Sequence, residues 1–170
     1  MKKLLAAGGF FLLLFLAGAV WAFVRFQAPV PVPQPIAFDH QRHMKEEMSC
    51  TDCHAQVEKS PHAGFPMVQQ CMLCHGEAQG THPDEPKVRE AADSGGQIAW
   101  QQVNRLPGHV YFSHAAHTKF AKMDCKECHG DMSQMTEPVI SPQILHLDMG
   151  RCMACHQEKN AWNECITCHK

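Results

Sequence analysis

After the opening Met-Lys-Lys, residues 4–24 read LLAAGGFFLLLFLAGAVWAFV, an apolar run without a charge until Arg25. As a helix rising about 1.5 Å per residue it reaches about 31 Å, the thickness of a bilayer's hydrocarbon layer. Lys2 and Lys3 ahead of it predict a cytoplasmic amino terminus and an exported remainder, and Trp21 suits the far interface. Ala17-Gly18-Ala19 offers a small-residue cleavage site, the mark of a removed signal peptide. Apolar character continues past that site through Val24, which favours a retained membrane anchor over residues 1–25. Both readings export the same domain.

The pattern then changes. QAPVPVPQPI carries prolines at positions 29, 31, 33 and 35, which remove backbone donors and favour an extended polyproline form. At about 3.1 Å per residue this stretch spans about 30 Å, so residues 26–36 are expected to be a spacer. Beyond it the chain is polar, with few continuous apolar runs, and it is broken by SPHAGFP, GTHPDEPK, DSGG, LPGH and TEPVISP. Short helices in mostly irregular chain are predicted. A chain of this kind cannot easily bury a large side-chain core, and it needs disulfides, a metal or a cofactor as a staple.

Composition points to the staple, because the 170 residues include ten cysteines and thirteen histidines. Charge adds less. Removing Lys2, Lys3 and Arg25 from the 15 basic residues leaves 12 against 17 acidic ones, and no basic face that a nucleic-acid partner would want.

Every cysteine falls into one of five copies of C-x-x-C-H: Cys50, Cys53 and His54; Cys71, Cys74 and His75; Cys125, Cys128 and His129; Cys152, Cys155 and His156; and Cys165, Cys168 and His169. On one helical turn, residues i, i+3 and i+4 share a face, so two thiols and an imidazole converge on one object. The sulfurs suit thioether bonds to the vinyl positions of haem, with the histidine as the iron's proximal ligand. Zinc sites pair two C-x-x-C units per metal, which leaves an odd unit and five trailing histidines unexplained. A disulfide framework does not demand those histidines, and a thioredoxin-like pair needs a βαβ pattern that does not occur. Five covalently bound haem c groups are therefore expected.

Eight histidines remain for the opposite faces of the irons: His40, His43, His62, His82, His109, His114, His117 and His146. FDHQRH precedes the first motif and FSHAAH the third, each an aromatic residue leading two histidines one helical turn apart. This duplication divides the exported chain into a module of two haems over residues 36–82, a connector over 83–107 and a module of three haems over 108–170. Met67 and Met149, just ahead of motifs, are alternative axial candidates, although gap-filling is the commoner role of methionine.

Residues 112–169, with F-x-H-x-x-H, C-x-x-C-H, a lone histidine and two further C-x-x-C-H motifs, resemble the three-haem members of the class III multihaem cytochromes c. The resemblance implies a mostly irregular fold with short α-helices wrapped around stacked haems, alongside the N-terminal transmembrane helix. It also implies that His114 pairs with His129, His117 with His156 and His146 with His169. The first half matches in part, with His40 pairing with His54 and His43 with His75, and with no assigned place for His62, His82 or His109.

The run IAWQQVNRLPGHVYFSHAAH, with CKECHG and LDMGRCMACH, resembles the membrane-anchored multihaem subunit of quinone oxidoreductase complexes related to molybdopterin enzymes. These are alternative complex III and the quinone reductase complex of sulfate reducers. Five motifs fit the pentahaem subunit of the former, whereas the latter carries six haems. The resemblance implies one-electron relay within a respiratory or photosynthetic complex of the bacterial inner membrane, with the haem domain in the periplasm. It implies iron-sulfur or molybdopterin-like and integral membrane subunits as partners, with a soluble cytochrome or copper protein as a further one. Such a subunit relays electrons and is not itself the enzyme. Alternative readings are a stand-alone anchored quinol dehydrogenase, which the spacer disfavours, and a multihaem reductase, which needs an open iron in a chain whose motifs all end in histidine.

Overall fold

The computed structural model describes the backbone over residues 2–27, 30–143 and 147–170, and side chains over 9–26, 30–143 and 147–170. It divides into two compact units, Met1–Pro31 and Val32–Lys170. The first is a single helix, α1 (Lys2–Gln27), whose window Gly9–Phe26 has a mean hydropathy of 2.0 and is long and apolar enough to cross a membrane. Its large side chains from Phe10 to Phe26 are exposed, as an anchor or a signal sequence would be before it meets lipid.

The second unit is irregular chain around short helices, with no strand among the described residues beyond one antiparallel bridge between Val110 and His169. In order it holds α2 (His40–Lys45), α3 (Cys50–Cys53), α4 (Val68–His75), α5 (Pro86–Asp93), a π-turn (Ala116–Phe120), α6 (Lys126–His129), a 3₁₀ turn (Met132–Gln134), α7 (Met149–Glu158) and α8 (Cys165–Cys168). Helices this short are not stable alone, so local caps and tertiary contacts must hold them. Asp39 caps α2 by accepting from Arg42 N, and Asp148 caps α7 by accepting from Arg151 N. Ser49 and Asp52 form a reciprocal capping box on α3.

α5 lies inside the stretch expected as a connector. Pro86 begins it, and Gly95 at φ +68° ends it, with Gly96 N bonding Ala91 O at 2.9 Å and Gly95 N bonding Ala92 O at 3.0 Å. Proline at the start and glycine in a Schellman turn at the end fix its bounds.

The side-chain core is small. Ile36, Val68 and Val88 are its buried members, with Cys71, Met72, Ala91, Ala92, Ile98 and Trp100 packed against them. It joins α4 to α5 and seats Trp100 against protein side chains. Residues 32–36, the end of the expected spacer, are tied into this unit: Val32 N bonds Ile140 O at 2.7 Å, and Gln34 bonds both Gln101 and Val139.

Candidate functional site

All five motifs adopt helical turns, and their ten cysteines are free thiols rather than disulfides. The two F-x-H-x-x-H segments fold alike. Phe38 stacks on His43 (ring centroids 4.3 Å apart, planes 22° apart) and meets His40 edge-on at 4.7 Å. Phe112 stacks on His117 (4.5 Å, 25°) and meets His114 edge-on at 4.9 Å. In each segment the second histidine bonds the carbonyl four residues back through Nδ1: His43 to Asp39 O and His117 to Ser113 O, both at 2.8 Å. The aromatic ring and the local turn together fix where these imidazoles point.

They point at motif histidines. His43 faces His75 with centroids 6.1 Å apart, His114 faces His129 at 6.2 Å, and His117 faces His156 at 6.0 Å. Imidazoles bound at about 2 Å on opposite sides of one metal ion have ring centroids about 6 Å apart. His40 lies within electrostatic reach of His54; burial first, and then the neighbouring His54, push its pKa down to about 4. Burial and the adjacent His114 and His54 likewise lower His129. Neutral imidazoles are the form in which histidine binds a metal.

The tautomers agree. A carbonyl oxygen only accepts, so each Nδ1 facing one carries the proton and leaves the Nε2 lone pair free. This holds for His43 and His117, for His54 on Gly64 O (2.9 Å), for His114 on Pro61 O (2.9 Å) and for His156 on Trp162 O. Gly64 turns its carbonyl to His54 at φ +73°, a left-handed conformation that suits glycine. His75 Nδ1 instead bonds the Glu85 carboxylate at 3.1 Å, and the Asn104 amide stands 3.4 Å from His129 Nδ1. Paired thiols on a helical turn, imidazoles across an ion-sized gap and the free Nε2 atoms of His43, His54, His75, His114, His117 and His156 together fit haem c.

The remaining candidates separate. His146 lies outside the described residues. His109, without an assigned place in the sequence pattern, faces His169 with centroids 5.4 Å apart and planes 18° apart. His62 is exposed, and His82 Nδ1 accepts from Asp84 N at 3.2 Å, unlike the donating Nδ1 of His43, His75, His114, His117 and His156. Met67 and Met149 are exposed where α4 and α7 begin. Sequence reasoning missed Glu85, which sits in a stretch read as loop ten positions from its partner.

Neighbouring motifs touch in a definite order. Gln70 on α4 bonds Asp52 O on α3 at 3.0 Å. The segment after α3 meets the second histidine pair through His114 N to Pro61 O, Ala115 N to Ser60 O and Thr118 Oγ1 to Val57 O. The Cys125 thiol, raised first by burial, is raised next by the neighbouring Cys50. Lys159 after α7 pairs with Glu127 of α6 at 3.6 Å, and the Cys152 thiol, again raised first by burial, is raised next by Cys168 of α8.

These features define a multihaem c-type cytochrome, its haem c attached covalently. The chain belongs to the family of cytochrome c7 and related cytochrome c, whose profile matches residues 36–94 and 110–170. It is also 31% identical to the menaquinone reductase multihaem cytochrome c subunit of Nitratidesulfovibrio vulgaris, over 81% of this chain and 77% of that protein.

Proposed function

We propose that this chain is a pentahaem electron relay anchored by α1 in the cytoplasmic membrane, with residues 32–170 in the periplasm, serving a quinone-linked oxidoreductase complex. The observation that carries this reading is the set of histidine pairs facing one another about 6 Å apart, each with one member from a C-x-x-C-H motif. Bound haem supplies one-electron exchange between ferric and ferrous iron. The protein supplies the rest. Cys50, Cys53, Cys71, Cys74, Cys125, Cys128, Cys152, Cys155, Cys165 and Cys168 would hold the groups by thioether bonds, and His54, His75, His129, His156 and His169 would be the motif ligands to iron. His40, His43, His114 and His117 would supply the second ligand to the first four. For the fifth, family resemblance favours His146, while the ring placement favours His109.

Histidine on both faces leaves no open position for a substrate, which supports relay over reductase chemistry. The contacts between motifs support a ladder running from the His75 site through His54, His129 and His156 to His169. The menaquinone reductase subunit of Nitratidesulfovibrio vulgaris supports a menaquinone-linked partner over alternative complex III, and α1 supports membrane attachment. Mild detergent extraction followed by identification of co-purifying chains tests the assignment. Larger membrane and iron-sulfur subunits are expected to accompany it, and recovery as a lone, stable monomer with fewer than five haems by intact mass would overturn it.

A further inference from the structure

Among the described facing histidines, His75 alone gives its Nδ1 proton to a carboxylate. Glu85 directly precedes Pro86, the first residue of α5, and only 8% of it is exposed. Its Oε1 accepts from Gln79 N at 2.6 Å, His75 Nδ1 at 3.1 Å and Arg89 Nη1 at 3.4 Å, and its Oε2 accepts from Gly80 N at 3.1 Å. Two backbone amides, an imidazole N–H and a guanidinium all donate to this one group, a donor set that fits a carboxylate anion. Arg89 also donates to His75 O at 3.3 Å, so the carboxylate and its counter-charge are both fixed around one imidazole. At the corresponding place, His43, His54, His114, His117 and His156 meet a neutral carbonyl.

We propose that Glu85 sets the reduction potential of the haem held at Cys71, Cys74 and His75, keeping it below that of an otherwise similar site whose histidine bonds a carbonyl. The inference rests on the reading that this motif holds haem. Gain of one electron there moves no proton and makes no bond, and it removes one unit of positive charge from the iron. A fixed anion on the proximal imidazole favours the more positive, oxidised state and makes the histidine a stronger donor. At one end of the ladder, that bias moves an electron on toward the His54 site rather than retaining it.

The test is a spectroelectrochemical titration of the full chain, matured with haem, as wild type, Glu85→Gln, Glu85→Asp and Arg89→Gln. In Glu85→Gln one component is expected to rise by about tenfold in its reduction equilibrium, about 59 mV for one electron, while the others stay in place. Glu85→Asp returns part of the shift. Arg89→Gln, which removes the counter-charge, moves the same component downward, a sign reversal that a merely structural role would not give. Superimposable curves, or all components moving together, overturn the proposal. Should Glu85→Gln lose its haem, the Arg89→Gln curve decides alone, and an unshifted curve overturns it. A wild-type chain without haem on the Cys71–Cys74 peptide would instead overturn the pentahaem reading, whereas a haem-loaded but unshifted Glu85→Gln protein overturns only the role of Glu85.

Discussion

The imidazoles of His109 and His169 face each other with centroids 5.4 Å apart and planes 18° apart, and backbone pairing holds them there. Val110 bridges His169, and Tyr111 N bonds Cys168 O at 2.8 Å, so the segment ahead of the second aromatic–histidine turn is clamped to the last motif. If His109 completes the fifth site, His109→Ala opens one iron, and a high-spin signal equal to one haem is expected in the oxidised electron paramagnetic resonance spectrum. His146→Ala is then expected to leave every haem low-spin. The reverse outcome would return the place to His146.

Plane angles make a second expectation. The His114 and His129 rings are 7° from parallel, whereas His43 with His75 and His117 with His156 are crossed at 41° and 47°. Parallel and crossed imidazoles split the iron d orbitals differently, so the oxidised chain should give at least two classes of low-spin signal. His114→Met should remove a component of the parallel class and leave the crossed class intact. A single uniform low-spin signal in the wild-type chain would contradict these angles.

Much of this site was legible because its chemistry is local. C-x-x-C-H is one helical turn, and F-x-H-x-x-H places an aromatic ring against two imidazoles in the same way at Phe38 and Phe112. What sequence could not show depends on contacts across long separations. His109 meets His169 through a bridge between distant segments, and Glu85 reaches His75 only after α5 packs on α4. α5 itself was hidden by its own punctuation: DEPK and DSGG read as loops, yet they are its proline start and its glycine stop.

Gly64 links backbone conformation to ligand orientation. Its carbonyl accepts from His54 Nδ1 at 2.9 Å while its φ is +73°, and the nearest atom to an added Cβ is Gln56 Cγ at 3.9 Å, so space is not the constraint. Gly64→Ala is expected to cost about 1–2 kcal/mol through left-handed strain alone. A lowered unfolding temperature, with a changed low-spin signal for the His54 site, is the expected result; an unchanged spectrum would mean that the carbonyl does not orient the ring.

The small core makes a stability expectation. Val68 is fully buried between Ile36 and Val88, and its amide bonds Gln97 Oε1 at 2.8 Å. Val68→Ala removes two methyl-sized groups from a cluster with few members, and about 2 kcal/mol of destabilisation is expected. Because α4 carries Cys71, Cys74 and His75, the loss should be felt first at that site. Thermal unfolding followed at the haem absorption bands, with an early phase equal to one haem, would show it.

The order of the ladder can be broken on purpose. In the proposed ladder, the contacts α4 to α3, the segment after α3 to the His114 turn and Lys159 to Glu127, with Cys152 electrostatically close to Cys168, support the His129 site in the middle and the His75 and His169 sites at the ends. Removing a middle rung should divide the ladder, whereas removing an end rung should only shorten it. In the full chain matured with haem, Cys125→Ala with Cys128→Ala is therefore expected to leave the His156 and His169 sites reduced out of step with the His54 and His75 sites in rapid-mixing experiments. Cys165→Ala with Cys168→Ala is expected to leave the remaining sites equilibrating together. The discriminating readout is the number of kinetic phases rather than the amount of haem, since each variant loses one group. Two phases in the end variant and one in the middle variant would require a different order of the sites.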